Sequence, residues 1–332
     1  MKNAVDRYSI DPALKALAAD PRATARRPPA HVPIDKVREA ANSAMCRQPA
    51  GPALFRVWDE VIVTGEGAEL SLRFYRPDAA APQSGIMFLH GGGFTLGSLD
   101  THDPQCRSLA RFSNSLVVSV DYRLAPEHPY PAGLEDCRAA WDRVTAGGDE
   151  LGICSGQWAL AGDSAGANLA LSLALGMRGE LERPAALTLF YPFLDPGCDS
   201  PSAHQLREGP GLSRDAMLWF WENYLGPQRQ APGAELLKQD LAGLPPTSLF
   251  LAAADPLVDE GLALAQALRK GHVPLTCRIV EGMVHGFLHL GALTPKADET
   301  LRLAAFDLRG ALDATLGPER ENLNDLPTER IR

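Results

Sequence analysis

Between residues 57 and 76, apolar and polar side chains alternate in two short runs, "VWDEVIVT" (57–64) and "ELSLRFYR" (69–76), joined by a glycine-containing turn. Period-two alternation on both sides of a turn predicts an antiparallel hairpin. Beyond it the pattern changes. "GIMFLH" (85–90), "LVVSVDY" (116–122), "QWALAG" (157–162), "ALTLFY" (186–191), "TSLFLAAA" (247–254) and "LTCRIVEG" (275–282) are more continuously apolar, as suits central strands covered on both faces. Helix-like stretches lie among them at 102–113, 133–145, 164–178, 258–271 and 296–315. The alternation predicts an α/β class: a doubly wound, mostly parallel sheet of eight strands with helices on both faces.

Two regions do not fit that alternation. Residues 1–50 open amphipathically around "DPALKALAA" and run on through the proline-rich "DPRATARRPPAHVPID", too irregular for a core element. Residues 196–230 contain "LSRDAMLWFWENYLG", which crowds Trp219, Phe220, Trp221 and Tyr224 onto one helix. Both are expected to form a cap over the sheet, 1–50 its N-terminal part and 196–230 its insertion. Aromatics of this kind also serve as ordinary helix-packing residues. The core then comprises 51–195 and 231–317, and the polar tail, 318–332, is expected to fray.

Composition narrows the function classes. The 332 residues carry 32 Lys and Arg against 41 Asp and Glu, a formal charge of -9, and no basic run stands out, so a nucleic-acid partner is disfavoured. No stretch has the uninterrupted apolar length that spans a bilayer, and the N-terminus lacks an apolar leader core, so the expected compartment is the cytoplasm. Six scattered cysteines without a C-x-x-C pair suit reduced thiols better than disulfides or a zinc site.

The candidate chemistry begins at "GDSAG" (162–166), between the strand "WALA" and the helical run "ANLALSLALGM". A sharp strand-to-helix turn lifts a nucleophile above the sheet edge and leaves no room for side chains two residues either side, so Ser164 reads as a nucleophile with Gly162 and Gly166 as its steric complement. A helix N-cap is the plainer role for such a serine. A serine needs a base, and His285, in a glycine-flanked loop after "LTCRIVEG", lies at the required sheet end. His289, four residues on, could share a helix face with it and permit a metal, but the zincin carboxylate is missing, and no metal is expected. The base needs a carboxylate. Asp255 follows "TSLFLAAA" directly, while its rivals Asp259 and Glu260 suit the first turn of the next helix.

"FLHGGGFTLGS" (88–98) places three glycines where a strand ends. Acyl transfer builds negative charge on a carbonyl oxygen, and backbone N–H groups of Gly91, Gly92 and Ala165 are the expected oxyanion donors. His90 is expected to anchor the loop. Phe94, Tyr191, Trp219, Leu257 and Phe287 are expected to line an apolar substrate pocket.

"HGGGF" (90–94), "DYRLAPEHPYPA" (121–132), "GDSAGAN" (162–168), "DPLVDEG" (255–261) and "HGF" (285–287) occur in that order. Over residues 50–315 the chain resembles the hormone-sensitive lipase family of α/β-hydrolases, in its bacterial carboxylesterase group. The resemblance implies a Ser/Asp/His esterase for short- to medium-chain acyl esters, a helical cap, no cofactor, and a possible homodimer. It also implies that Asp121, Arg123 and Glu127 brace the glycine loop. The same triad serves amidases, carbamate or lactone hydrolases and deacetylases, and the same scaffold serves non-catalytic receptors that bind small molecules.

Overall fold

The computed structural model describes residues 8–65, 67–80, 82–226, 231–315 and 329–331. All eight expected strands form, with ends within two residues of expectation: β1 (Arg56–Val63), β2 (Glu69–Arg76), β3 (Gly85–Leu89), β4 (Leu116–Val120), β5 (Trp158–Asp163), β6 (Ala186–Phe190), β7 (Thr247–Ala254) and β8 (Leu275–Val284). A three-residue β9 (Glu329–Ile331) joins them, and the order is β1-β2-β4-β3-β5-β6-β7-β8-β9. The hairpin β1–β2 and the pair β2–β4 are antiparallel, and every other pairing is parallel.

β3, β4, β5 and β6 are buried along their whole length, which explains their unbroken apolar runs, whereas β1 at the edge exposes Val61 and Val63. The expectation of a frayed tail fails at its end. β9 pairs in parallel with Arg278–Val280, because the outer edge of β8 offers unpaired backbone groups that a short extended segment can satisfy. Residues 316–328 lie outside the described residues.

The chain also forms α1 (Lys15–Ala19), α2 (Ile34–Met45), α3 (Asp103–Ser113), α4 (Ala132–Ala146), α5 (Gly148–Leu151), α6 (Ala165–Gly176), α7 (Pro201–Gln205), α8 (Arg214–Leu225), α9 (Val258–Lys270) and α10 (Lys296–Asp313). α3 packs on α10 and α4 on α6, covering the sheet. Among the described residues no helix is long and apolar enough to cross a membrane.

The two irregular regions meet each other. Ala25 N–H donates to Gly211 O at 2.9 Å and Ser213 N–H to Ala25 O at 3.0 Å. Arg26 and Arg27 pair with Glu208 (3.1 Å) and Glu222 (2.7 Å). α8 starts where the Ser213 hydroxyl accepts from Ala216 N–H, an N-cap bond that satisfies one of the helix's free donors.

Candidate active site

β5 ends at Asp163 and α6 begins at Ala165, leaving Ser164 alone in the turn at φ 51° and ψ -117°. An L-residue rarely holds this left-handed conformation unless its surroundings impose it. Here they do. Ser164 N–H donates to Phe190 O, and its carbonyl accepts from Phe193 N–H. A Cβ on Gly162 would come within 2.5 Å of Gly166 O, and one on Gly166 within 2.0 Å of Leu89 O. The glycines are there because backbone occupies the space a side chain would need.

Ser164 Oγ lies 3.0 Å from His285 Nε2, and His285 Nδ1 lies 2.8 Å from Asp255 Oδ2. Ser164, His285 and Asp255 each directly follow the C-terminal end of a parallel strand, β5, β8 and β7 respectively. Asp255 is buried, and its other oxygen accepts from Leu257 N–H at 2.8 Å. A carboxylate so placed keeps the proton on Nδ1 and leaves Nε2 free to accept from the serine. The rival acids are engaged elsewhere. Asp259 accepts from Ser202 N–H, and Glu260 accepts from Leu194 and Asp195 N–H groups, with burial pushing its carboxyl well above the usual range.

The glycine loop requires one correction. Gly91 N–H already donates to Asp163 Oδ1 at 2.8 Å, inside the protein, so it is not available to a substrate oxygen. Gly92 (φ 119°) and Gly93 (φ 60°) donate no hydrogen bond among the described residues, and Ala165, as the first residue of α6, has no partner within its helix. Sequence spacing identifies the loop but not which of three successive peptides a distant carboxylate has taken.

His90 anchors the loop as expected. It is buried, its Nδ1 lies 2.8 Å from Gly91 O, and Tyr122 stacks on its ring while donating to His90 O at 2.7 Å. Burial lowers its pKa to about 3, so the ring is neutral. The bracing implied for Asp121, Arg123 and Glu127 takes a different form. Asp121 is exposed and Arg123 pairs with buried Asp136. Glu127 acts through Arg38, whose guanidinium pairs with it at 2.6 Å and donates to Thr95 O and Ala125 O at 2.8 Å. Arg38 lies on α2, just after the proline-rich stretch, and nothing in its local pattern marks it.

The expected pocket residues divide into two groups. Tyr191 and Phe287 are buried against the base, the Tyr191 ring 5.0 Å from that of His285 and 5.5 Å from that of Phe287, while Leu257 is held beside Asp255. Phe94 stacks on Tyr224 at 3.7 Å and meets Trp221 and Phe193. Trp219 is half-buried, its ring 5.0 Å from that of Phe220 and tilted by 52° to it. Phe220, not Trp219, faces the loop, since a Cβ on Gly93 would fall 2.2 Å from its ring. A Cβ on Gly211 would likewise fall 2.9 Å from His285 O. Helical periodicity marked α8 as aromatic without revealing which aromatic points inward.

Behind the serine, ligand-type atoms of His102, Asp163 and His289 lie within 4.8 Å of one another. Among the described residues, this is the group that could hold a cation. The His285/His289 pair considered from spacing is not the cluster that forms, because His285 is committed to Ser164 and Asp255. All three also have protein partners: Asp163 accepts from Gly91, His102 Nδ1 lies 2.8 Å from Thr101 Oγ1, and His289 Nδ1 lies 3.2 Å and 3.3 Å from the amide nitrogens of Gln105 and Gln48.

A strained serine at a strand-to-helix elbow, bonded to a histidine that a buried aspartate orients, defines an α/β-hydrolase of the serine type. The chain belongs to the α/β-hydrolase fold family, whose pattern it matches over residues 86–289, in the hormone-sensitive lipase branch. It is 34% identical over 251 residues to an ethyl acetate hydrolase of Pseudomonas putida, covering 73% of this chain and 79% of that protein. It is 36% identical over 290 residues to the esterase LipI of Mycobacterium tuberculosis, covering 84% and 89%. Among solved structures it is similar to an esterase of Pyrobaculum calidifontis, with a TM-score of 0.83, 32% identity, and coverage of 91% of this chain and 98% of that one.

Proposed function

We propose that this protein is a serine carboxylesterase that hydrolyses short- to medium-chain acyl esters through an acyl-enzyme. The observation that carries this reading is the continuous chain from Ser164 Oγ through His285 to Asp255, with contacts of 3.0 Å and 2.8 Å. His285 Nε2 takes the serine proton as Oγ attacks the ester carbonyl. The tetrahedral oxyanion is met by the N–H groups of Gly92, Gly93 and Ala165. His285 then gives its proton to the departing alcohol, and a water activated by the same nitrogen releases the acid. The relatives named as esterases support the ester bond as the target.

In this reading residues 8–50 and 196–226 form the cap, and Phe94, Tyr191, Trp219, Leu257 and Phe287 shape the acyl and alcohol sides of the pocket. Phe220 and Trp221 join them. All six cysteines are free thiols, which supports a cytoplasmic location. The family resemblance supports a homodimer, which sedimentation of the purified chain tests.

The test is a burst experiment with p-nitrophenyl esters of increasing acyl length, run beside Ser164→Ala. Turnover that declines with chain length is expected, and kcat of the variant should fall by on the order of 10⁴- to 10⁶-fold. Undiminished hydrolysis by Ser164→Ala would overturn the reading. Turnover of amides, carbamates or lactones in place of esters would move the same triad to another bond.

A further inference from the structure

The three-glycine run, whose second and third N–H groups are the loop's oxyanion donors, is permissive backbone, yet such donors act only when held to within about half an ångström of their working geometry. Anchors exist on both flanks of the run: Tyr122 holds His90 O upstream, and Arg38 holds Thr95 O downstream. Within the run itself Gly92 O accepts from Thr95 N–H at 3.1 Å and Leu96 N–H at 2.8 Å, and the remaining anchor is a side chain. Gly91 N–H donates to Asp163 Oδ1, and a Cβ on Gly91 would fall 2.5 Å from Asp163 Oδ2. The first glycine is therefore required by how closely this carboxylate approaches.

We propose that Asp163 is a positioning residue that aims the Gly92 and Gly93 N–H groups through Gly91, and that His102 and His289 hold its carboxylate for that task. This rests on the esterase reading above. Asp163 is the immediate neighbour of Ser164, so one residue registers the nucleophile against its donors. Its carboxylate is enclosed on every side. His102 Nε2 sits 3.2 Å from Oδ1 without the alignment of a hydrogen bond, and Tyr191 Oη donates to Oδ2 at 3.4 Å. His102 Nδ1 is in turn 2.8 Å from Thr101 Oγ1, and the His289 ring packs edge-on to His102 at 4.6 Å.

The charge states agree with that geometry. Burial works against an ionised Asp163, but His102 and the Gly91 N–H outweigh it and hold the carboxyl at about 2. Burial keeps His289 neutral by lowering its pKa to about 3. His289 lies four residues beyond His285, and Gln105 donates to Leu288 O at 3.0 Å between them. The cluster therefore spans the donor loop, the elbow and the segment that carries the base.

The experiment compares wild type, Asp163→Ala, Asp163→Asn and His289→Gln as full chains. It measures kcat and KM on p-nitrophenyl acetate, the rate at which a p-nitrophenyl alkylphosphonate labels Ser164, and urea unfolding. In labelling, the Oγ–P bond forms as nitrophenolate leaves, and the phosphoryl oxygen occupies the place of the oxyanion. Asp163→Ala should slow both kcat and labelling about a hundredfold or more, the scale of a lost oxyanion donor, with KM within threefold. Asp163→Asn keeps an acceptor for Gly91 and should recover to within about tenfold of wild type. His289→Gln should slow labelling more than threefold but by less than Asp163→Ala, and if Asp163→Ala fails to fold, a folded His289→Gln that labels at the wild-type rate overturns the proposal. Labelling of Asp163→Ala within threefold of wild type would overturn the proposal. So would an Asp163→Asn variant that is folded but as slow as the alanine variant. A wild type that labels but hydrolyses no ester overturns the esterase reading alone, and one that does neither overturns both.

Discussion

The strand-end loops beneath the reactive serine and the helical segments above it are held by different kinds of contact. Beneath, Ser164, Gly91, Asp163, His90 and Asp255 are buried, and their partners are backbone groups or other buried side chains at 2.8–3.0 Å. Above, the contacts between residues 8–50 and 196–226 include two backbone hydrogen bonds, a Tyr8–Gln205 hydrogen bond of 3.3 Å, and the pairs Arg26–Glu208 and Arg27–Glu222, whose side chains are 42–72% exposed. Buried, fully partnered polar groups are costly to disturb, whereas exposed ion pairs contribute little and are screened by salt. The lower part keeps reacting atoms in register through buried contacts, whereas the ion pairs that join the two upper segments to each other are exposed.

That contrast is best broken from below. Gly166→Ala places a Cβ 2.0 Å from Leu89 O and 2.5 Å from His90 O, both backbone atoms that cannot swing aside. Overpacking of this kind costs about 1–3 kcal/mol or more. A fall of at least that size in urea stability, with most of the ester turnover lost, is the expected result, and an unchanged midpoint would contradict the close approach.

Acid should also strike the lower part first. His90 and His289 stay neutral down to about pH 3 in the folded chain, while in the unfolded chain they take up protons near 6.5. The unfolded state therefore binds more protons between those values, and stability is lost as pH falls through that window. Thermal melts from pH 7 to pH 4 should show it, with a shallower slope in His289→Gln. Equal slopes would mean that His289 titrates normally when folded.

The smallest effect belongs above. Arg27→Ala should change stability by at most about 1 kcal/mol and leave turnover of p-nitrophenyl acetate nearly unchanged. The difference should shrink further in 0.5 M salt. A large loss at high salt would show that the upper segments are held more tightly than their exposed pairs suggest.

What could be read from the chain follows the same division. Runs such as "GIMFLH" report burial along a strand, and "GDSAG" between a strand and a helix reports a local steric demand, so the sheet, the elbow and the Ser164, Asp255 and His285 grouping were legible. The partner of Gly91 was not, because it lies 72 residues away and forms only when β3 and β5 pair. Arg38 was hidden for a related reason. Its role depends on Thr95, Ala125 and Glu127, none near it in sequence. Phe220 was passed over for Trp219 because composition marks an aromatic helix but not its rotation about its axis.

Arg38 carries one more consequence. It is synthesised before any strand of the sheet, yet the carboxylate it pairs with comes 89 residues later. On the ribosome, α2 can be fixed over the glycine loop only after Glu127 has emerged. A helix made before the sheet is thus obliged to wait, and a chain deprived of it would keep its serine, histidine and aspartate while losing the clasp on the loop that must receive the charge.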